Sequence, residues 1–471
     1  MTPNGQIRTN EIVTKCEEYR NLYNFAIHLV TVSQTEYNES RQNILGQLDI
    51  LATSIKDRLS ELEHLDEKLF LKLIEVLPQD RPILFEGLMD PIKSYPFIPS
   101  QIVLLEDDLW NIGHWGTLET FVRTVILNSY KTEINIVSSK NLRKASHFLL
   151  EIYATFSFVN ISCSVETLSL QKVIFKDCAL LDFRRTNTLT YNQRNVLYLT
   201  SLQRLTNMWL DSFGEMRLFR PQDTIIRHKF PPSISKIIGN RWIAILHVRD
   251  HGYRNEHPER SWSRHRSSTL SNYIDACAYI YSKGGVVIRM GNPNMIPAPQ
   301  CEYIFDYAHF PERNGEIELM FLSSAQLFLG GSSGLQTLIS AFGVPRVHLD
   351  VILWDTLDIA TPHEVILPKI YLDSIANTPI SLSRYVDPNL RSIHQTPEFT
   401  LKNLKLEDVD SASITLAVQE QMGDMPYLTD EQKSQFELEM TDFYKCLEPY
   451  AESALQYRIA SSFWRRFQQK I

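Results

Sequence analysis

The sequence predicts an α/β protein that contains two parallel-sheet domains and additional helices at both ends. Short apolar runs alternate with amphipathic, helix-length segments between residues 101 and 163, and the same alternation starts again at residue 242. This order is typical of β-α-β units, whose strands lie parallel. A proline-containing passage, residues 221–233, separates the two runs and is the predicted linker.

Length, composition and charge narrow the classes of protein to consider. A chain of 471 residues is too long for one ordinary core, and 44% hydrophobic with 22% charged residues is typical of globular proteins. The net charge of -8 argues against a nucleic-acid partner. The six cysteines form no C-x-x-C pair, so we expect free thiols in a reducing compartment. Neither an apolar leader nor an apolar run of membrane-spanning length is evident, which predicts a cytoplasmic protein.

The first half of the chain divides into a helical region and the first α/β domain. Residues 1–95 are predicted to be helical, because apolar residues between 12 and 30 recur at helical spacing. This region would bind a protein partner or a second copy of the chain, or else would only pack on the next domain. Residues 96–225 form the first Rossmann-like domain, with strands at 102–105, 134–137 and 158–163 and helices at 117–129, 141–153 and 193–213.

The second half repeats the α/β pattern and ends in helices. Residues 226–400 form the second Rossmann-like domain, with strands at 242–248, 286–289, 303–306, 327–329 and 346–349 and helices at 271–282, 316–323 and 335–342. Residues 401–471 carry predicted helices at 407–422, 429–446 and 452–467. The basic, aromatic segment FWRR (463–466) could anchor the chain peripherally at the inner membrane face, but a helix that covers the domains is the favoured interpretation.

Two glycine-containing segments predict a binding crevice in the second domain. GGVVIRMG (284–291) places an arginine and a glycine at the end of a strand, and LFLGGSSG (327–334) passes from an apolar strand through a Gly/Ser loop into a helix. Such a loop directs backbone N–H groups and the positive end of the helix dipole at one point, as a phosphate or diphosphate requires. Since ligands of parallel α/β sheets bind at the carboxyl ends of the strands, we expect a nucleotide-sugar pocket there.

Several motifs occur together in a fixed order. They are HVRDHGY (247–253), RSS (266–268), GGVVIRMG (284–291), DYAH (306–309), FLGGSSG (328–334) and FGVP (342–345). In this order they resemble a bacterial family assigned to the GT-B glycosyltransferases, and NIGH (111–114) with Glu119 and LPK (367–369) extend the resemblance to about residues 100–425. The His-x-Arg element is also similar, more distantly, to the first motif of fucosyltransferases. One departure is NGEIE (314–318), where the family pattern has an aspartate at the helix start and this chain offers Glu316 or Glu318.

The resemblance implies a GT-B-like fold, in which two Rossmann-like domains face a cleft. It further implies a transferase of the hexosyl or deoxyhexosyl type, which moves a sugar from a GDP- or UDP-linked donor to a hydroxyl of a glycan, lipid-linked or protein acceptor in bacterial glycan or glycoconjugate synthesis. The sugar, the nucleobase, the acceptor and the stereochemical course stay open at this point.

The candidate donor-binding residues lie at predicted strand ends. Arginine suits a diphosphate because its planar fork donates paired hydrogen bonds, and fixed positive charge stabilises the charge that develops as the nucleoside diphosphate leaves. The alternatives are ion pairs for the arginines, a core position for His247 and helix capping for the two serines. The full predicted donor-binding set is His247, Arg249, Arg289, Gly291, Asp306, Tyr307, His309, Ser332, Ser333 and Gly334.

The predicted catalytic base lies in the first domain. His114 or Glu119 would face the cleft and deprotonate the acceptor hydroxyl, because histidine titrates near neutrality and a desolvated carboxylate can act as a base. Packing within the loop is the alternative for His114. No cofactor or catalytic metal is predicted, since Asp408 and Asp410 in the sequence DVD precede a predicted helix and are expected to cap it rather than to bind a cation.

Two other functions were weighed against glycosyl transfer. A nicotinamide-dependent oxidoreductase requires G-x-G-x-x-G after the first strand, whereas this chain has Gly113 and Gly116 separated by two bulky residues. That function is therefore disfavoured. The remaining alternative is a non-catalytic GT-B-like scaffold that binds a nucleotide sugar, with its terminal helices holding partners.

Overall fold

A computed structural model describes most of the chain from residue 101 to residue 424, with gaps, and a segment near residue 460. The described ranges are 101–105, 133–138, 144–163, 179–181, 188–191, 194–197, 202–219, 230–250, 264–352, 364–385, 396–424 and 458–468, with single residues between 14 and 54, between 118 and 127, and at 361, 390, 393 and 470. The predicted helices at 429–446 lie outside these residues, as does most of the predicted amino-terminal helical region.

The first sheet has six strands and mixed direction. Its strands are β1 (Gln101–Leu105), β2 (Glu133–Ser138), β3 (Val159–Cys163), β4 (Ala179–Leu181), β5 (Thr188–Tyr191) and β6 (Arg194–Leu197). The spatial order is β3-β2-β1-β4-β5-β6, in which the first four strands run parallel and the pairs β4–β5 and β5–β6 are antiparallel. The prediction of a helix over residues 193–213 was wrong at its start, because Arg194–Leu197 pairs with β5 and the helix begins at Leu202.

The second sheet has seven strands, all parallel. In spatial order they are β15 (Arg458–Ile459), β12 (Val365–Pro368), β11 (Arg346–Val351), β10 (Ala325–Gly330), β7 (Trp242–His247), β8 (Gly285–Arg289) and β9 (Ile304–Asp306). A separate antiparallel pair joins β13 (Ile370–Asp373) to β14 (Leu404–Glu407). The five strands predicted for this half, at 242–248, 286–289, 303–306, 327–329 and 346–349, are all present.

Helices fill the connections between these strands. They are α1 (Lys144–Tyr153), α2 (Leu202–Phe213), α3 (Pro232–Ile238), α4 (Ile274–Ser282), α5 (Gly315–Ser324), α6 (Gly334–Leu338), α7 (Leu382–Tyr385), α8 (Thr396–Leu401), α9 (Ser411–Gln421) and α10 (Ser461–Gln468). The helix predicted over 335–342 begins at Gly334 and tightens into a 3-10 turn over Ile339–Phe342. Among the described residues, no helix combines the length and the apolar character needed to cross a bilayer.

Two predictions near the carboxyl-terminal end need correction. The helix predicted over 407–422 starts only at Ser411, since residues 404–407 form β14 and the Asp410 carboxylate caps the helix by accepting the Ser413 N–H at 2.8 Å. The helix predicted over 452–467 is a short strand followed by α10. Phe463 and Phe467 of α10 are each 3% exposed and pack in the core, which agrees with a helix that covers the sheet.

Residues on opposite faces of β7 belong to two different hydrophobic clusters. Ala244 and Leu246 pack in a cluster with β11, β12, α9 and α10, whereas Ile243 and Ile245 pack in a second cluster. This alternation follows from the period of two along a strand. The second cluster also contains residues from the first half of the chain, among them Leu118, Val122, Ile134, Ile136, Tyr153, Trp209 and Phe219.

Polar contacts reinforce the junction between the two halves. The N–H groups of Leu218 and Phe219 both donate to the Ala341 carbonyl at 2.8 Å. The rings of Phe219 and Phe342 lie 5.3 Å apart. Leu218 and Phe219, which precede the predicted linker at residues 221–233, therefore pack against the 3-10 turn after α6, and α3 begins inside that linker.

Candidate functional site

The order of strands in the second sheet predicts a ligand-binding crevice beside His247. β7 is the first strand of this sheet in sequence and has β8 on one side and β10 on the other, so the connections leave it in opposite directions. In open parallel sheets a ligand binds at the carboxyl ends of the strands where the order reverses. The last residues of β7 and β10, His247 and Gly330, are register partners at this point.

Gly330 permits the close approach of the two strands. A Cβ atom added to Gly330 would lie 2.6 Å from the backbone carbonyl oxygen of His247. Any side chain at this position would force β10 away from β7, because real contacts to Cβ are longer. The glycine at the strand end therefore serves packing as well as the loop that follows it.

His247 is a buried, neutral histidine. Its ring Nδ1 lies 3.0 Å from the carbonyl oxygen of Met290, and since that oxygen only accepts, Nδ1 carries the proton and Nε2 is the acceptor. Burial, together with the charges of Arg249 and Arg289, lowers the pKa of His247 to about 4, although the hydrogen bond to Met290 and the charge of Asp250 oppose this shift. A neutral imidazole beside two arginines can accept a hydrogen bond from a ligand hydroxyl.

Arg289 is enclosed by carboxylates rather than open to the crevice. Its side chain is 0% exposed, and Nη1 donates to both carboxylate oxygens of Asp306 at 3.0 and 3.1 Å, while Nη2 lies 3.5 Å from Asp250. The structure thus favours a buried ion-pair role for this predicted diphosphate ligand. A donor phosphate could reach the guanidinium only if one of the carboxylates moved away.

The two carboxylates that hold Arg289 also brace the loop after β8. Asp250 accepts the N–H of Ile296 at 2.8 Å, and Asp306 accepts the N–H of Ala298 at 2.8 Å. Asp306 in addition faces His309, whose Nδ1 lies 2.9 Å from the same oxygen. The Asp306 carboxylate is therefore occupied by contacts within the protein. His309 remains about a quarter exposed and is available to a ligand.

Gly291 and Tyr307, also in the predicted donor set, serve packing. Gly291 has a φ of 155°, and a Cβ atom there would lie 2.7 Å from Cε of Met295. Tyr307 is 1% exposed, and its hydroxyl accepts the N–H of Asn314 at 2.8 Å. Burial raises the pKa of Tyr307 to about 12. Both positions therefore contribute to packing rather than to contact with a ligand.

Arg249 lies just beyond the end of β7 and is half-buried. Its backbone carbonyl accepts the N–H of Ser268 at 2.7 Å, which fixes the main chain next to the RSS motif. That motif is held in turn by Lys369, whose Nζ donates to the Ser267 carbonyl at 3.0 Å and forms ion pairs with Asp350 and Asp408. This buried cluster explains why LPK (367–369) and RSS (266–268) accompany the site motifs.

The Gly/Ser loop places one serine in a helix cap and leaves the other without a partner. Ser333 is the N-cap of α6, where its hydroxyl accepts the Gln336 N–H and the Gln336 side chain accepts the Ser333 N–H, both at 3.3 Å. The capping alternative thus describes Ser333, and Gly334 is the first residue of the helix. Ser332 is 6% exposed, and its Oγ has no hydrogen-bond partner within the described residues.

Sequence reasoning missed a buried polar network beneath this loop. The Gln336 side-chain amide contacts Nδ1 of His348, whose Nε2 lies 3.2 Å from Glu364, and Arg346 donates to both Glu364 oxygens at 2.7 and 2.8 Å. Burial opposes ionisation of Glu364, but Arg346 and His348 bring its pKa to about 2. Arg346 and His348 alternate with apolar residues in a central strand, and charged side chains at such positions are the signal that could have revealed the network.

Of the two candidate bases, the structure describes Glu119 only, since His114 lies outside the described residues. Glu119 is 4% exposed; it forms an ion pair with Arg123 at 2.5 Å and accepts the Ser340 hydroxyl at 2.9 and 3.0 Å. Burial raises its pKa, and Arg123 opposes that shift. Glu119 is therefore enclosed at the junction of the two halves, whereas the sequence predicted that it faces a cleft.

No group of three His, Cys, Asp or Glu side chains converges into a metal-binding geometry among the residues that the structure covers. Independence of a catalytic metal stays a prediction.

Comparisons with known proteins give distant matches to solved structures alone. No protein-family model matches the chain, and no curated protein matches it. A glycosyl transferase family 9 protein from Veillonella parvula is 9% identical, with a TM-score of 0.37 over 69% of this chain and 98% of that one. The E. coli ADP-heptose lps heptosyltransferase II is 11% identical, with a TM-score of 0.31 over 64% of this chain and 97% of that one.

A third match is the E. coli heptosyltransferase WaaC with ADP, which is 9% identical with a TM-score of 0.30 over 57% of this chain and 90% of that one. All three are glycosyltransferases by description, and none is a fucosyltransferase. TM-scores this low do not establish a common fold, and fold likeness alone would not establish an activity. The structure of this chain shows a parallel sheet whose strand order reverses between β7 and β10, where His247 and Gly330 are register partners and the Gly/Ser loop follows β10.

Proposed function

We propose that the chain is a glycosyltransferase that moves a hexosyl or deoxyhexosyl group from a nucleotide-sugar donor to an acceptor hydroxyl without a catalytic metal. The observation that carries the proposal is the Ser332 hydroxyl, which is buried without a hydrogen-bond partner among the described residues and lies two residues after Gly330, the register partner of His247 where the strand order reverses. A buried hydroxyl without a partner costs free energy unless a ligand satisfies it. The resemblance of the motifs to GT-B glycosyltransferases supplies the choice of a nucleotide sugar as that ligand.

In this proposal Ser332 and Arg249 contact the donor diphosphate, and the neutral His247 accepts a hydrogen bond from the donor through Nε2. The bond between the sugar and the diphosphate breaks, the acceptor oxygen takes its place on the sugar, and the acceptor proton passes to a base. Arg249 stabilises the charge on the leaving diphosphate. Arg289 acts indirectly, by holding Asp250 and Asp306 in position.

The proposed base is His114, because the Glu119 carboxylate is engaged by Arg123 and Ser340. A histidine that titrates near neutrality can accept the acceptor proton at the pH of the cytoplasm, which is the compartment we propose. The donor is proposed to be GDP- or UDP-linked and the acceptor a glycan, lipid-linked or protein hydroxyl, as the resemblance implies.

The enclosure of Glu119 favours a second candidate, a GT-B-like protein that binds a nucleotide sugar without turnover. One of the two predicted bases is tied into the junction between the halves of the chain, so catalysis depends on His114 alone. Binding and turnover must therefore be measured separately.

The first experiment is a thermal-shift panel of UDP-, GDP-, ADP-, CMP- and dTDP-sugars without added metal. We expect one nucleotide to raise the unfolding midpoint of the wild type, because a ligand at about 100 times its Kd stabilises the folded state by about 2.7 kcal/mol. Ser332→Ala should fold normally, since its hydroxyl has no partner to lose, and should weaken binding by about tenfold to a hundredfold.

The matched control is Ser282→Ala. The Ser282 hydroxyl is exposed, donates to the Tyr279 carbonyl and lies outside the Gly/Ser loop, so its removal should leave the ligand-induced shift of the midpoint unchanged. Donor turnover by His114→Ala then separates the two candidates. A fall in kcat of about a hundredfold or more with unchanged donor binding supports the enzyme. Binding with no turnover by the wild type, across glycan, lipid and peptide acceptors, supports the non-catalytic alternative, and no shift with any nucleotide contradicts both.

A further inference from the structure

The Gly/Ser loop is connected to the sheet by one continuous chain of buried hydrogen bonds. The Ser333 N–H donates to Oε1 of Gln336, the Gln336 Nε2 group contacts Nδ1 of His348, and His348 Nε2 faces Glu364. Gln336 and His348 are 1% and 0% exposed, so water cannot substitute for a lost partner. Every link therefore has to be satisfied within the protein.

The direction of each hydrogen bond is determined by its neighbours. The capping box uses the oxygen of the Gln336 amide, which leaves the NH₂ group to donate to His348. Nδ1 of His348 must then be an acceptor without a proton. The Glu364 carboxylate only accepts, so Nε2 of His348 carries the proton. The network is consistent only with a neutral His348 in the Nε2–H tautomer.

We propose that Gln336, His348 and Glu364 are positioning residues that hold the Gly/Ser loop in its ligand-binding conformation, and that the loop is released when His348 gains a proton. A proton on Nδ1 would point at the NH₂ group of Gln336. The conflict is relieved when the amide rotates and offers its oxygen to His348, and that rotation removes the acceptor of the Ser333 N–H. Protonation and the intact helix cap thus exclude each other.

The charged groups around His348 set the range of pH in which this happens. Arg346 on the same strand and Glu364 from the segment before β12 are the charged groups described as facing it. Burial lowers the pKa of His348, Glu364 opposes that shift, and Arg346 adds to it. In the proposal the released His348 has the ordinary histidine pKa of about 6.5, so below that pH the held form loses stability by about tenfold per pH unit until the lowered pKa of the held form is reached.

Arg346 makes the release local. Arg346 donates to both oxygens of Glu364 and, through Nη1, to the backbone carbonyl of Gln336 at 3.1 Å. None of these bonds uses the side-chain amide of Gln336, so the ion pair between Arg346 and Glu364 is kept when that amide rotates. The expected change is confined to the loop and the first turn of α6. The sheet and its core should stay intact.

The proposal is tested by backbone amide hydrogen exchange between pH 5 and pH 8. The protection of residues 331–338 is compared at each pH with the protection of β8 in the same molecule. For the wild type we expect the protection of the loop relative to β8 to fall by about tenfold per pH unit below about 6.5. His348→Asn retains an acceptor for Gln336 but cannot titrate, so its relative protection should not change with pH. Gln336→Met, which has no amide, should show low protection at every pH.

His265→Asn is the matched control, because His265 is also buried and hydrogen-bonded through Nδ1, in its case to Thr396. It should keep the acid dependence of the wild type. Equal pH dependence in the wild type and His348→Asn would overturn the proposal. If His348→Asn does not fold, ¹⁵N chemical shifts of the wild-type imidazole decide, and an Nδ1–H tautomer at pH 8 would overturn it.

The link from loop to ligand rests on the proposed function, and a second measurement separates the two. The nucleotide sugar that stabilises the protein in the panel should bind the wild type more weakly at pH 5.5 than at pH 8, and His348→Asn about equally at both. Equal wild-type affinity at both pH values would contradict the coupling to binding. If no nucleotide binds, the proposed function fails, while the exchange result still decides the positioning role.

Discussion

At the scale of single residues, the two arginines near the crevice have different roles: Arg289 stabilises the protein, and Arg249 is the proposed ligand contact. Arg289 is fully buried between Asp250 and Asp306, each of which also accepts a backbone N–H of the loop after β8. Buried ion pairs add little net stability compared with apolar residues, but removing one partner leaves an uncompensated charge. Arg289 is therefore a poor probe of ligand binding, because its loss disturbs the fold first.

We expect Arg289→Ala to lower the free energy of unfolding by about 3–5 kcal/mol, measured by urea denaturation. Adding Asp306→Asn should restore part of this loss, because one of the two stranded carboxylates is then neutral. Lys283→Ala, which breaks an exposed ion pair with Asp424, is the control and should cost much less than Arg289→Ala, because solvent screens an exposed pair. A loss at Arg289 no greater than that of the control would show that the buried pair is not formed in solution.

At the scale of elements, the ends of β7 and β10 form the crevice because the backbones approach closely at Gly330. Space around the next glycine is larger, since a Cβ atom on Gly331 would lie 3.4 Å from its nearest neighbour, the Leu349 carbonyl. The two glycines of one motif therefore differ in purpose. Gly330 is required by packing, and Gly331 begins the loop.

The matched pair Gly330→Ala and Gly331→Ala tests this difference. Gly330→Ala should destabilise the protein by about 1–3 kcal/mol, because the new methyl group would push against the His247 carbonyl. Gly331→Ala should leave the free energy of unfolding within about 0.5 kcal/mol of the wild type. Thermal or urea unfolding measures both, and equal losses would refute the assignment of the close approach to Gly330.

The same elements show what could be predicted from the sequence. The parallel strands of the second half were predicted because their apolar runs are bounded by Gly, Pro and charged residues. The hairpin strands β5 and β6 were not, because Arg194–Leu197 is too short and too polar at its start to show a period, and pairing decides its conformation. Likewise, Ser332 and Ser333 share one motif, but only the positions of Gln336 and neighbouring groups reveal which hydroxyl has a partner.

At the scale of the whole molecule, one hydrophobic cluster includes residues from both halves of the chain. Tyr153 and Phe219 pack in the same cluster as Ile243, Phe328 and Phe342. The hydrogen bond from Ser340 to Glu119 closes a buried polar contact across the same junction. Because residues of both halves pack in this cluster, unfolding of one half removes packing contacts from the other, and we expect the two halves to unfold cooperatively.

We therefore expect the two sheets to unfold in a single calorimetric transition, with the calorimetric and van't Hoff enthalpies equal. Phe342→Ala should lower the midpoint of that one transition, since it removes a ring from the shared cluster and costs about 3–5 kcal/mol. Phe399→Ala, which lies in the other cluster, is the comparison and should lower the same midpoint. Phe342 and Phe399 both lie in the second half, so two resolved transitions, of which both variants displace the same one, would show that the halves fold independently.

The pairing of β15 with β12 has a consequence for how the protein is made. β15 is the outermost strand of the parallel sheet, yet its residues, Arg458–Ile459, follow those of β12 only after the β13–β14 pair and α9. While the ribosome is synthesising the intervening chain, the backbone N–H and C=O groups along the outer side of β12 have no partner strand. An open edge of this kind can pair with the edge of another nascent chain. Once it is synthesised, the short strand at 458–459 covers this edge of β12 at Val365 and Ile366, which removes one place where newly made copies could pair with one another.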